Sequence, residues 1–349
     1  MGYSMTPSMP WLISIYQTLI GMYANREGHH ALLLSCAKGQ GEDELFHTLA
    51  SYLLCKECMI DSTSACGVCP SCLLMSAGNH PDYHTIAPEK DKKQIGIDII
   101  RLMTEQLYQH ANQGGAKIVQ IVQLEAMTHA AMNALLKILE EPPEKTFFLL
   151  STYAPDALLA TIKSRCLNFP IATIDKQAAL NWLKNEFLDI PEETLSIALK
   201  IALGAPLIAK SLLNEGFVAQ RIHFMNDLHS AILANLPLSL LNYLTKENWL
   251  LHLDSLMSLV IDAMKIQSIK SSTSVIVEPG YIEDLIINSD MMPVIERLAE
   301  WDRHFLQALS QNGLHLRHLL LTNSGLNLEL LMANFLLKWQ QKKLELLTL

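Results

Sequence analysis

Apolar residues recur along this chain with two different periods, and the change of period marks its organisation. Across residues 10–26 they follow helical spacing, with Trp11, Leu12, Ile15, Leu19 and Ile20 on one face. Short apolar runs then appear at residues 29–36, 118–122 and 147–150, and further short strands are expected at 83–87 and 167–171. Helical patterns lie between them, leading to about Leu54, over 97–110, and over 128–141 with Ala131, Leu135, Ile138 and Leu139. Pro142-Pro143 stops the last of these, because proline lacks the N–H and its ring clashes with the preceding turn. Apolar runs alternating with helices predict a buried parallel sheet joined by βαβ crossovers, an α/β domain over residues 1–172. Three short helices are expected over 173–214, broken at Pro191 and at Gly204-Ala205-Pro206. From 215 to 349 the pattern is helical, as at 249–266, 293–310 and 326–347, with loops at 271–274 and Pro279-Gly280. The last stretch is therefore read as a separate all-α domain.

The chain has 349 residues, half of them hydrophobic, enough for two or three domains with substantial cores. No apolar run approaches about 18 residues, the length of a membrane span. Residues 1–11 carry neither a basic cluster nor a long apolar core, so no secretory signal is expected and the default address is the cytoplasm. A net charge of −9 argues against strong autonomous DNA binding, which needs a basic footprint. Seven cysteines in a reducing compartment suggest metal or free thiols, not disulfides.

The cysteines cluster. Cys66, Cys69 and Cys72 are each separated by two residues, and Cys55 and Cys58 precede them. Gly67 and Pro70 suit the tight turns that wrap a metal. Four thiolates at this spacing fit a closed, tetrahedral, structural zinc site within an insertion at about residues 55–75. Either Cys55 or Cys58 is within reach as the fourth ligand. His80 has no second histidine at metal spacing and reads as a turn or core residue. Lys90 to Lys93 reads as a solvated loop.

Upstream, the first strand leads through Lys38-Gly39-Gln40-Gly41-Glu42-Asp43 into a helix. Strand, glycine loop and helix is the setting of a phosphate-binding loop. Such a loop ends Gly-Lys-Ser/Thr, the lysine reaching the β- and γ-phosphates and the hydroxyl holding magnesium. Here those positions are Glu42 and Asp43. Two like charges ~4 Å apart cost about 4 kcal/mol at an effective dielectric of 20, so the loop repels a triphosphate. No ATP is expected to bind this chain.

The run Asn133-Ala134-Leu135-Leu136-Lys137-Ile138-Leu139-Glu140-Glu141-Pro142-Pro143, followed by Ser164-Arg165-Cys166, resembles the bacterial clamp-loader subunits, members of the AAA+ class of P-loop ATPases. The resemblance implies a parallel-sheet domain with a zinc module, a small helical lid and an all-α collar. It implies Cys55 as the fourth zinc ligand. In the family the strand before the Asn-Ala-Leu-Leu-Lys helix ends in Asp-Glu; here those positions are Val122 and Gln123. Glu125 is two residues out of register, on the opposite side of the pattern. A lid arginine expected after Gly204 is Leu207. These losses resemble the family's non-catalytic subunit, with no catalytic centre of its own, and disfavour the alternative of an ATP-hydrolysing gamma/tau-like motor.

Arg165 carries the remaining implied chemistry. In the family this arginine, framed by Ser164 and Cys166, is a finger that stabilises charge on the γ-phosphate of a neighbouring subunit, contributing roughly 10³ to 10⁵ in rate. The implied partners are the gamma/tau ATPase subunits and the delta subunit of DNA polymerase III, in a hetero-oligomer that places a sliding clamp on primed DNA. A zinc hydrolase or redox enzyme is a weaker alternative, since neither a His-Glu-x-x-His helix nor a nucleophile triad is present.

Overall fold

The computed structural model describes residues 6–25, 27–57, 63–88, 94–109, 111–113, 115–234, 236–245, 248–271, 282, 285–323 and 325–347. The Lys90–Lys93 loop, Cys58, Gly114 and the loop across 272–281 lie outside them. The chain forms two compact units, Met1–Glu186 with Ala205–Leu207, and Phe187–Gly204 with Ile208–Leu349.

In the first unit, helix α1 (Pro10–Ala24) precedes β1 (Ala31–Ser35) and α2 (Glu42–Leu54). The short α3 (Pro70–Ser76), β2 (Tyr83–Ile86), α4 (Ile97–Leu107), β3 (Lys117–Ile121), α5 (His129–Glu140), β4 (Thr146–Thr152), α6 (Ala160–Lys163), β5 (Leu167–Pro170) and α7 (Lys176–Glu186) follow. The strands pair in the order β2-β3-β4-β1-β5, every pair parallel. Ala31, Leu33, Val119, Ile121, Phe148 and Leu150 face a core shared with Leu135, Ile138 and Leu139 of α5 and Ile100 and Met103 of α4. Their strand neighbours Leu32, Leu34, Ile118 and Leu149 point the other way and are just as buried. Burial on both faces explains why these strands read as continuous apolar runs.

Local chemistry sets the ends of the elements. Thr128 caps α5, its hydroxyl accepting the Ala131 N–H at 3.2 Å. Lys117 is buried, and its Nζ donates to the Gln109 carbonyl at 2.6 Å and to that of Leu107, closing the C-terminal end of α4 with a cation.

In the second unit lie α8 (Glu192–Ile201), most of α9 (Pro206–Asn214), α10 (Phe217–Ala234), α11 (Trp249–Ser271), α12 (Met292–Leu298), α13 (Arg303–Thr322) and α14 (Leu328–Leu347). The single helix expected over 293–310 is two. Asp302 caps α13 by accepting the Phe305 N–H at 3.0 Å, and Gln267 Nε2 donates to the Ala299 and Trp301 carbonyls exposed at the break. A long-range side chain thus satisfies carbonyls that a continuous helix would have bonded internally. Among the described residues no single helix is long and apolar enough to cross a membrane.

A polar network runs through this helical core. Arg221 is fully buried; it donates to Asp290 Oδ2 at 2.6 Å and to Asn288 Oδ1. Asn288 in turn donates its N–H and amide to buried Asp262 at 2.9 and 2.8 Å. Breaking a buried ion pair leaves an uncompensated charge. Arg221→Ala is expected to cost about 3–5 kcal/mol, read as a fall in the urea midpoint of the helical unit. A shift under about 1 kcal/mol would show that the network contributes little.

Candidate functional site

Parallel strands bring β1, β3 and β4 out at one edge of the sheet, the edge where α/β proteins bind ligands. The glycine loop sits there. Its Gln40 is buried, its Oε1 accepting the Ala37 N–H at 3.0 Å, while its carbonyl accepts Trp11 Nε1–H at 2.8 Å. Gly41 has φ +99°, and a Cβ there would collide with the Met9 sulfur, so the position requires glycine.

Glu42 fills this loop from inside, and Asp43 stands exposed beside it. Glu42 is buried, and its Oε2 accepts the Gly41 N–H at 3.2 Å. An amide of the kind that would cradle a phosphate is thereby taken by the chain's own anion. The Tyr153 hydroxyl donates to Glu42 Oε1, and Gln120 Nε2 donates to Asp43 Oδ1 at 2.8 Å. Burial, and then the charge of Glu42, raises the Asp43 carboxyl above its ordinary value. Burial, then Glu42, Glu125 and Asp43, pushes the Cys36 thiol up to about 12. The edge is strongly negative. Leu207, at the lid position, donates its N–H to the Gly39 carbonyl at 3.2 Å, so an apolar side chain stands beside the loop.

Val122 and Gln123 follow β3 and bring no carboxylate. Glu125, expected on the opposite side, comes to the same edge. It accepts Thr152 Oγ1–H at 2.8 Å and the Tyr153 N–H at 3.2 Å. Gln123 has φ +59° and starts a 3₁₀ turn, Leu124–Ala126, which reverses the chain so that a strand-period count fails. Tyr153 and Gln120 were silent in the sequence, since neither belongs to a motif.

Arg165 lies at the other edge. Leu167, two residues on, pairs with Leu32 near the start of β1, whereas the glycine loop leaves from the end of β1. Arg165 therefore lies at the opposite end of the sheet from the glycine loop. It is about a third exposed. Nη2 pairs with Glu140 Oε1 at 2.6 Å, and Nη1 donates to the Thr161 carbonyl at 2.9 Å and toward Ser164 Oγ at 3.5 Å. Cys166 is buried in the core under α5, and burial pushes its thiol up to about 12. Glu140 was also missed as a partner; its one signal is an acidic pair, Glu140-Glu141, at a helix C-terminus.

The cysteines gather. The sulfurs of Cys55, Cys66, Cys69 and Cys72 all lie within 4.8 Å of one another. The Cys66 and Cys72 sulfurs are 3.8 Å apart, about the edge of a tetrahedron with ~2.3 Å metal–sulfur bonds. N–H groups of Cys66, Cys69 and Cys72 point at the Cys55, Cys66 and Cys69 sulfurs at 3.4, 3.3 and 3.4 Å. Burial works against ionisation of Cys69, yet the Cys72 amide and the neighbouring thiols bring it down to about 6. The set fits a divalent, thiolate-preferring metal held in a closed site. A chain of hydrogen bonds ties it to the sheet domain. The Asp82 N–H donates to His80 Nδ1 at 3.1 Å, His80 Nε2 bonds Ser71 Oγ at 2.7 Å, and Ser71 donates to the Leu54 carbonyl at 2.7 Å.

The chain is similar to known proteins over most of its length. The family described as DNA polymerase III, delta subunit, matches residues 13–175, and its C-terminal counterpart matches 215–341. DNA polymerase III subunit delta' of Yersinia pestis is 40% identical, covering 95% of each chain. That of Escherichia coli is 36% identical, covering 94% of each. DNA polymerase III subunit tau of Escherichia coli is 29% identical over 60% of this chain and 32% of its own.

The bonding chain requires His80 neutral, with Nε2 protonated, and burial lowers its pKa below the ordinary value near 6.5. A lowered folded pKa contributes stability that is present above about 6.5 and lost as pH falls below it. The protection of α3 amides, each rate taken relative to its intrinsic rate at the same pH, is expected to fall between pH 7.5 and 5, and to fall less in His80→Gln. An equal pH response in both proteins would remove His80 from this role.

Proposed function

The chain belongs to the delta' family of DNA polymerase III subunits, and we propose on that premise that it is the non-catalytic member of a clamp-loader ring. In this reading the ring opens a sliding clamp and places it on primed DNA in the cytoplasm. The neighbours are gamma/tau ATPase subunits and a delta subunit, joined through the helical collar at 215–349, with 173–214 as the lid. The chain itself hydrolyses nothing; it belongs to a DNA-directed DNA polymerase holoenzyme.

One observation carries the reading. The glycine loop is occupied by buried Glu42, with exposed Asp43 bonded to Gln120 beside it, at one edge of the sheet, while Arg165 stands partly exposed at the other. The first arrangement disfavours the motor alternative. The second supports a role for the arginine toward a neighbour's phosphate rather than its own loop. Its planar guanidinium suits the charge that develops on phosphoryl oxygens in transfer. Ser164 supports the turn, its hydroxyl donating to the Thr161 carbonyl at 3.1 Å.

The four-cysteine cluster is assigned to structural zinc, with Cys55, Cys66, Cys69 and Cys72 as ligands. Zinc bound there neutralises thiolates and fixes the turn between α2 and α3; no open position remains for catalysis.

Arg165→Ala, reconstituted with its partner subunits, is expected to assemble normally and to lower the DNA-stimulated ATPase of the complex by about 10²-fold or more. Unchanged ATPase and clamp loading would rule the finger out. Elemental analysis of the purified chain should find about one zinc, lost in Cys69→Ser. A folded wild-type protein without metal would remove the assignment.

A further inference from the structure

The partner of Arg165 stands where a carboxylate is least expected. Glu140 is the last residue of α5 and Glu141 follows it, at the end of the helix where the backbone carbonyls concentrate negative charge. Lys137 is the one basic residue in the last turn. A cation belongs at this terminus, and the cation that comes is Arg165, from 25 residues further along the chain. The contact is a single Nη2···Oε1 bond between side chains that are 35% and 50% exposed. Solvent-exposed pairs of this kind contribute little net stability. A terminal phosphate offers more acceptors and more charge than one carboxylate, and can take the guanidinium with two bonds at once.

Resting on the finger reading above, the geometry points to Glu140 as a positioning residue that holds Arg165 back until a neighbour's triphosphate displaces it. Without a closed interface the arginine stays on Glu140 and the Thr161 carbonyl. With one, the guanidinium exchanges a carboxylate for phosphate oxygens. No bond is made or broken in the handover; only the partner of a charged group changes. Glu140 therefore sets how much ATP turnover occurs before DNA and clamp have shaped the ring.

Glu140→Gln in the reconstituted complex tests this. ATPase without DNA is expected to rise about threefold, the size of effect that losing an exposed pair allows. The Glu140→Gln/Arg165→Ala double variant should lose that rise, which a general loosening of the fold would not require. The melting temperature of the purified Glu140→Gln chain should stay within about 2 °C of the original. An unchanged or lower DNA-independent rate overturns the inference, as does a rise that survives in the double variant. If Arg165→Ala alone leaves the DNA-stimulated rate intact, the finger reading fails as well. If Arg165→Ala abolishes that rate and Glu140→Gln does nothing, only the role of Glu140 falls.

Discussion

A sheet whose strands all run one way has two unlike edges, and this chain separates its chemistry between them. Carbonyl ends, helix starts and the glycine loop gather at one; strand starts and helix ends gather at the other. Every crossover must carry the chain back across the sheet, so α5 delivers Glu140 to the edge that Arg165 reaches by the turn after α6. Burial of both faces holds this separation rigid. A loop occupied by Glu42 and a partly exposed Arg165 are thereby kept at opposite ends of one small domain.

Electrostatics explains why the filled loop is stable. Burying Glu42 beside a second carboxylate is costly unless both are hydrogen-bonded. Glu42 has the Gly41 amide and the Tyr153 hydroxyl; Asp43 has the Gln120 amide. Burial first, and the remaining repulsion after it, raise the pKa of Asp43 and of the Cys36 thiol. The cysteine cluster meets the same difficulty differently, with backbone N–H groups turned toward its sulfurs.

Much of this was legible in the sequence because it is local or periodic. Three apolar runs and two short strand segments became five parallel strands, Thr128 and Pro142 bound α5, and two Cys-x-x-Cys steps with Cys55 became one cluster. What escaped depends on long-range geometry. The left-handed turn at Gln123 brought Glu125 to the loop edge against its register. Gln267, held on α11, reached across to the carbonyls at the break near residue 300, and no pattern inside 293–310 announced it. The Glu140–Arg165 and Tyr153–Glu42 pairs join residues 25 and 111 positions apart, and only the folded sheet makes them neighbours.

The plugged loop also limits redesign. Placing lysine and threonine at positions 42 and 43 would strip Tyr153 and Gln120 of their present acceptors and leave the Met9 sulfur packed against Gly41. Two substitutions therefore leave the surroundings still fitted to carboxylates, like a lock cut for a different key.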